Sequence, residues 1–474
     1  MNEENEKKSE MLLGTEKISK LLLRFSIPCI MSLLVSALYN IVDQIFIGQG
    51  VGYLGNAATN VVFPITVIGL GFALLIGDGA AAKLSLCLGK GDKESGPKTI
   101  ANSIILMLII SFLIMLFGYI FTDNLLYLFG ATDNCIGYAR DYYRIILAGM
   151  PFYMLSSGLA SVIRADGSPR YSMILMVVGA IINIICDPIA IFVFNWGVVG
   201  VAYATILGQL VSFVLAIIYF WHTKTFKFNK DCFKPHLSLL GSSLLLGISS
   251  FITQISIVLV AITTNNMIGK YGANSEYGVD IPLSVIGIVM KVFSIVVSII
   301  VGISVGGQPI IGYNYGAKKY KRVLGTYKKV IISCGIVGLV ATIIFEAFPQ
   351  AIISIFGSES ETYNKFATLC FRFYLSGICL TCLQKSSCIF LQAVGKPVKS
   401  ILLSLSRDTL FLIPAVTILP IFYGIDGVMY SAPVADVLAI IVTSILIFIE
   451  YKKIHSLIKK EEPAIVGTPK TENN

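Results

Sequence analysis

The chain has 474 residues, 55% of them hydrophobic and only 13% charged, with a mean hydropathy of +0.81; soluble proteins carry about 25% charged residues. That balance excludes a soluble globular protein and leaves an all-α polytopic membrane protein. The formal net charge of +9 raises nucleic acid as a partner, a reading that fails if the basic residues only mark one face of a bilayer.

Residues 1–20, MNEENEKKSEMLLGTEKISK, are polar and lack the apolar centre of a cleavable signal, so the first helix is expected to act as its own insertion signal. Twelve segments then have the ~20 mainly apolar residues that a spanning helix needs. They are 22–47, 58–87, 100–121, 141–163, 171–194, 199–221, 239–268, 281–311, 328–348, 367–393, 400–422 and 427–450. Pro28, Pro64, Pro188, Pro309 and Pro414 fall inside them; a bundle tolerates such prolines because neighbouring helices and waters satisfy the freed carbonyls.

Lys and Arg concentrate in the N-terminal stretch, in every second loop and in the C-terminal tail, while GQGVGYLG, NWGVVG and YGIDG hold none. By the positive-inside rule both termini are cytoplasmic, the protein sits in the cell membrane, and the charge reflects topology and not nucleic-acid binding. The three histidines (His222, His236, His455) fall in loops or tails, and the ten cysteines lie mostly in apolar runs without regular pairing. A histidine metal centre and a disulfide framework are therefore not expected. Cys379 and Cys382 form a C-x-x-C inside a predicted helix, where small packing residues are the commoner use.

The halves repeat. FNWGVVGVAYA recurs as IFYGIDGVMYSA, so Gly197, Gly200 and Tyr203 match Gly424, Gly427 and Tyr430 at one constant offset; the same offset carries Gly89 to Gly316 and Gly130 to Gly357. Six helices per unit give two lobes in the same membrane orientation with a cavity between them. The expected organisation is a cytoplasmic tail (1–20), an N-lobe (21–221), a cytoplasmic linker (222–238), a C-lobe (239–450) and a cytoplasmic tail (451–474).

Asp43 stands near the outer end of predicted helix 1, although a carboxylate at the centre of a membrane helix costs roughly 2.5–3.5 kcal/mol on insertion scales. Predicted helix 5 runs the same way and holds Asn183 and Asp187, four apart and so on one face. Helix 6 returns with Thr205 at similar depth. Facing inward, these four side chains make a small, hard, oxygen-lined site suited to Na⁺ or H⁺. Two close carboxylates cannot both stay ionised unshielded in a low dielectric, so a proton or a cation is needed between them; the alternative is that each bonds separately to helix ends or loops. Tyr39, Tyr142, Tyr143 and Phe152 are read as packing or interface anchors ahead of cavity lining.

The second lobe is not a copy. Lys291 on helix 8 and Asp436 on helix 12 correspond by the repeat to Pro64 and Gln209, and either pair with each other or line the cavity. Arg407 and Asp408 on helix 11, with Asp78 and Lys83 on helix 2, are read as structural contacts or gates.

Taken together, LRFSIPCIMSLLVSALYNIVDQIFIGQGVG, GDGAAAKLSLCLGKGDKE, RADGSPR and NIICDPIAIFVFNWGVVGVAYAT resemble the multidrug and toxic compound extrusion (MATE) family, most of all its bacterial multidrug efflux branch, over roughly residues 20 to 450. The resemblance implies a V-shaped pair of six-helix bundles, not an enzyme, that expels amphipathic or cationic compounds in exchange for entering Na⁺ or H⁺ by alternating access. It also implies a cation site at Asp43, Asn183, Asp187 and Thr205, and a bend of helix 1 at Pro28. Another branch of the family has a second-lobe cation site with acidic residues on helices 7 and 10, where this chain has Gln254 and Gln384, so the first-lobe site is preferred. The expected partners are small-molecule drugs or toxic compounds and membrane lipid, for a monomer with no cofactor beyond the coupling ion. A flippase for a lipid-linked sugar is the alternative, and would call for a more strongly cationic central cavity.

Overall fold

The computed structural model describes residues 13–131, 133–278, 280–356 and 361–461. Its spanning helices are α1 (Ile18–Gly50), α2 (Tyr53–Lys90), α3 (Ser95–Ile120), α4 (Ile136–Ala165), α5 (Pro169–Pro188, continued by a π turn at Ile189–Val193) and α6 (Gly197–Phe220) in the first lobe. The second lobe holds α7 (Leu237–Gly272), α8 (Asp280–Gly316), α9 (Tyr320–Ala347), α10 (Glu361–Tyr374 and Ile378–Ala393), α11 (Pro397–Leu405 and Ile413–Tyr423, joined by a π turn at Ser406–Leu412) and α12 (Ile425–Glu461). Among the described residues eleven helices are each long and apolar enough to cross a membrane, and the two halves of α10, bent by 45°, make a twelfth span when taken as one.

Each lobe has its own core. In the first, Tyr143, Leu147, Met150 and Met154 of α4 pack against Ala58, Val62 and Ile65 of α2. In the second, Phe366 and Phe371 of α10 meet Val428, Ala432 and Ala435 of α12. The outer faces of α3 and α9 expose Phe112, Leu116 and Phe117, and Ile336, Leu339 and Ile343. Apolar patches of that extent suit lipid and not water.

The lobes meet through close helix crossings that glycines permit. A Cβ on Gly247 of α7 would lie 1.7 Å from Leu75 O of α2, and one on Gly302 of α8 would lie 2.7 Å from the Ile30 Cα of α1. Ser26 Oγ of α1 donates to Ile303 O of α8 (3.2 Å), so Pro28 sits inside this crossing, and α1 remains helical through it. The first and last described segments of the chain lie at one end of the bundle. Leu13 O accepts from Asn314 Nδ2 (3.0 Å) and Arg322 Nη2 (3.2 Å), while Ile454 and Ile458 of α12 pack on Val323 of α9.

Two local features differ from the predicted spans. Predicted helix 10 is continuous, whereas the observed α10 breaks at residues 375–377. There Gly377 leaves room for Asp436, whose Oδ2 stands 2.2 Å from where a Cβ would be. Short helices also form at Thr122–Leu128 and Pro349–Phe356, outside the predicted spans, and their first residues are again related by the offset of the repeat. All ten cysteines are free, and the C-x-x-C is a packing surface: Gly338 of α9 brings its backbone against Cys379 and Cys382.

Candidate functional site

Asp43, Asn183, Asp187 and Thr205 converge in the half of the first lobe away from the Leu13–Asn314 contact. α5 and α6 touch through Gly179 and Gly208, where a Cβ on Gly208 would lie 2.5 Å from Gly179 O and 3.5 Å from the Asn183 Cβ. That approach sets Asn183 against Thr205: Asn183 Nδ2 donates to Thr205 Oγ1 and to Asp187 Oδ1, both at 3.3 Å. α1 brings the Asp43 carboxyl within hydrogen-bonding reach of Asp187. Asp43, Asn183 and Asp187 are 9%, 3% and 0% exposed.

Oxygens outnumber donors here. Asp43 Oδ1, Asn183 Oδ1 and Asp187 Oδ2 are buried without a hydrogen-bond partner, although buried polar atoms are nearly always satisfied. Such a donor-poor set of hard oxygens suits a proton or a small alkali cation. The four aromatic residues divide. Tyr142 reaches the Thr205 hydroxyl and Tyr39 lies beside Asp43, whereas Tyr143 is fully buried in the lobe core and Phe152 packs on Phe213, ring centres 5.6 Å apart.

In the second lobe, Asp436 does not pair with Lys291. Its Oδ1 accepts from Arg407 Nε (2.7 Å) and Thr381 Oγ1 (2.8 Å). Arg407 Nη1 also donates to Asp408 Oδ1 (2.5 Å), and Lys385 Nζ to Asp408 Oδ2 (2.8 Å). These two cations and two anions form a neutral buried network. Lys291 is exposed on α8 and has no ion pair among the described residues. Lys385 is the member that sequence reasoning overlooked, and its signal was a charge beside Gln384 inside an apolar run. Arg407 and Asp408 are chain neighbours that would diverge by about 100° on an α-helix; in the wider π turn both are buried.

Gln384 donates to Leu403 O (2.6 Å), and Gln254 of α7 faces Gly71 of α2 across the lobe boundary. Asp78 bridges the lobes as well, accepting from Ser161 Oγ of α4 (2.6 Å) and Ser250 Oγ of α7 (2.9 Å). Among the described residues no cluster of three or more His, Cys, Asp or Glu side chains is arranged to hold a metal ion.

Residues 28–189 and 249–417 match the MatE family model. The multidrug export protein MepA of Staphylococcus haemolyticus strain JCSC1435 is 27% identical over 450 residues, covering 93% of this chain and 96% of its own. MepA of Staphylococcus aureus strain MSSA476 is 26% identical over 447 residues, with the same coverage. Among solved structures, a multidrug resistance MATE family transporter of the MOP superfamily in an outward-facing conformation is similar with a TM-score of 0.86, over 94% of this chain and 98% of its own, at 23% identity. A MOP superfamily transporter from Pyrococcus furiosus, for which reverse polarity of the binding pocket suggests a different function, is similar with a TM-score of 0.85 over the same shares at 22% identity.

Proposed function

Since this chain belongs to the MatE family, matched in both halves, and is a membrane transporter and not an enzyme, we propose that it exports amphipathic, often cationic drugs in exchange for Na⁺ or H⁺ at the Asp43–Asp187 site. The MepA relatives are named for multidrug export, which supports the substrate class. The observation that carries the coupling is the set of three buried oxygens without a donor on Asp43, Asn183 and Asp187. A cation entering there relieves the repulsion of two carboxylates and biases the lobes between two arrangements, the exchange that alternating access requires. With both termini cytoplasmic, the site lies in the outer half of the first lobe, where an external cation would enter. The acidic pair inside the first lobe favours cation exchange over carriage of an anionic lipid-linked sugar.

The energetics constrain the cycle. One monovalent cation moving inward gains roughly 2.3 kcal/mol per 100 mV, plus about 1.4 kcal/mol for each tenfold gradient. That sustains a gradient of several hundredfold for a neutral drug. For a monovalent cationic drug exchanged one to one the voltage contributions cancel, leaving about tenfold, so strong expulsion of cations requires more than one coupling ion or a steeper ion gradient.

The test is efflux of a fluorescent cationic dye from loaded cells under separately imposed Na⁺ and proton gradients, with wild type beside Asp187→Asn. Efflux that follows one gradient and vanishes in the variant is the expected result. Wild-type protein that is present in the membrane yet exports no dye under either gradient would overturn the reading.

A further inference from the structure

At the end of the first lobe where α1 and α5 begin, a cavity of about 420 Å³ lies between α1, the start of α5, the end of α6 and the first linker residues. Its wall includes Arg24, Arg170, His222 and Lys224 and contains no Asp or Glu. Neither Arg24 nor Arg170 forms an ion pair among the described residues. Asp166 lies beneath the wall, bonded to Tyr219 and Lys224 of the lining, and its oxygens already accept hydrogen bonds. Oδ2 accepts from the Tyr219 hydroxyl (2.5 Å) and the Lys224 amide (2.8 Å), and Oδ1 from the Thr225 amide (2.8 Å) and the Thr225 hydroxyl. The carboxylate therefore organises the linker, and its single negative charge, which acts on Lys224, cannot balance Arg24, Arg170 and Lys224 together.

The same wall holds the N-terminus of α5, residues 167–171. A helix start turns the positive end of the macrodipole toward an anion; of the amides here, those of Gly167, Ser168 and Tyr171 already donate to Arg164 O, Ile163 O and Ser168 O and Pro169 has none, so Arg170 supplies the unused one. A second observation points the same way. Ser168 is only 5% exposed, lines the cavity and gives α5 no cap; its Oγ stands near the Tyr219 hydroxyl, but that hydroxyl donates to Asp166 and the Ser168 Oγ has no close hydrogen-bond partner. Next to the basic groups stand exposed apolar side chains, Ile174 (47%), Ile218 (39%) and Trp221 (75%). Tryptophan and aliphatic residues in that arrangement mark the level where head groups meet acyl chains.

We propose that this cavity binds the phosphate of an anionic phospholipid, with Arg24, Arg170 and Lys224 around the head group, Ser168 Oγ donating to it, and the acyl chains lying along Ile174, Ile218 and Trp221. Basic recesses between spanning helices take phosphate head groups in this way. A phosphate held by Arg24 and the α5 N-terminus ties α1 to α5, the two helices that carry Asp43 and Asp187.

The test uses the full-length protein in detergent, titrated with short-chain phosphatidylglycerol while bound lipid is counted by native mass spectrometry. Parallel arms contain phosphatidylcholine of the same chain length or inorganic phosphate. Saturable binding of one phosphatidylglycerol is expected, with no saturable phosphatidylcholine binding. At about 1 kcal/mol per basic group near a membrane surface, the Arg24→Gln/Arg170→Gln double variant should bind about thirtyfold more weakly. Ser168→Leu, which fills the cavity without changing charge, should lose the site as well and decides the matter if the double variant does not fold. Equal binding of both lipids, unchanged affinity in a folded variant, or displacement of the lipid by inorganic phosphate at equal concentration would each overturn the assignment; the last would make the cavity a site for a soluble anion.

Discussion

Gly89 of α2 and Gly316 of α8, equivalent positions of the two repeats, meet face to face at the end of the bundle where α2 and α8 end. A Cβ on Gly316 would lie 2.3 Å from Leu86 O and 3.0 Å from the Gly89 Cα, and a Cβ on Gly89 would lie 2.0 Å from Tyr313 O. Leu86 and Tyr313 are themselves related by the same offset, so the contact obeys the symmetry of the repeat and places the two lobes across an axis that passes between these glycines.

The atoms facing each missing Cβ are backbone carbonyls, which no rotamer change can move. Gly89→Ala and Gly316→Ala must therefore push α2 and α8 apart, costing this crossing about 1–3 kcal/mol. Spin labels at the exposed Lys90 and Lys328 should report longer distances in both variants, and to a similar degree because the contact is symmetric. Distances identical to wild type would show that this crossing does not hold the lobes together.

Asp436 and Arg407 should be coupled, and Asp436 and Lys291 should not. Removing one member of a buried ion pair costs about 3–5 kcal/mol, so Asp436→Ala should lower the melting temperature sharply. Lys291→Ala, at an exposed position, should stay within about 0.5 kcal/mol of wild type. Double-mutant cycles on thermal unfolding in detergent give the decisive comparison. Contacting residues of one network couple by up to about 3 kcal/mol, so Arg407 with Asp436 should show about 2 kcal/mol or more and Lys291 with Asp436 close to none. The reverse order would restore the pair suggested by the sequence.

Hydropathy made the twelve spans readable, since a membrane helix needs a long apolar run whatever its neighbours do. The repeat made the two lobes readable, because glycines at crossings and turns recur at one offset. The clustering of the first-lobe side chains was also accessible: Asn183 and Asp187 share a helix face through a spacing of four, and their depth matches that of Asp43 and Thr205. Side-chain pairing in the second lobe was not. Depth alone cannot distinguish Arg407 from Lys291 as the partner of Asp436, because the choice depends on a π turn and on the break at Gly377, neither of which alters the apolar pattern. The cavity at Arg24 and Arg170 escaped for a related reason: its wall is assembled from α1, α5, α6 and the linker, and the sequence reads those basic residues only as topology marks.

Asp92 links stability to pH outside the membrane. Its Oδ1 accepts from the amides of Ser95 (3.0 Å) and Glu94 (3.3 Å) at the start of α3, and the Ser95 amide is the main reason that its carboxyl titrates below the usual carboxylate value. A carboxyl depressed in the folded state binds protons more readily when unfolded, so its contribution is present at neutral pH and is lost as the pH falls through the folded value. Asp92→Ala should cost about 1 kcal/mol near pH 7. The difference in melting temperature from wild type should shrink as the buffer is taken below about pH 4, the ordinary range of an aspartate. A gap that persists unchanged to the lowest pH at which the protein stays folded would mean that charge is not what Asp92 contributes.

Asn183→Leu would separate the two proposed coupling ions. Asn183 offers one oxygen without a donor and an amide held only by two 3.3 Å contacts, so a leucine of similar size sacrifices little packing and only weak hydrogen bonds. A Na⁺ bound between Asp43 and Asp187 loses a hard oxygen ligand in this variant, whereas a proton needs only a carboxylate to sit on. Dye efflux driven by Na⁺ should then require about tenfold more Na⁺ for half-maximal rate, the equivalent of about 1.4 kcal/mol, while proton-driven efflux should stay within about twofold of wild type. Measured in proteoliposomes with either gradient imposed alone, a rise confined to the Na⁺ arm assigns Asn183 to the ion. An equal loss in both arms would instead make Asn183 a support for the two carboxylates.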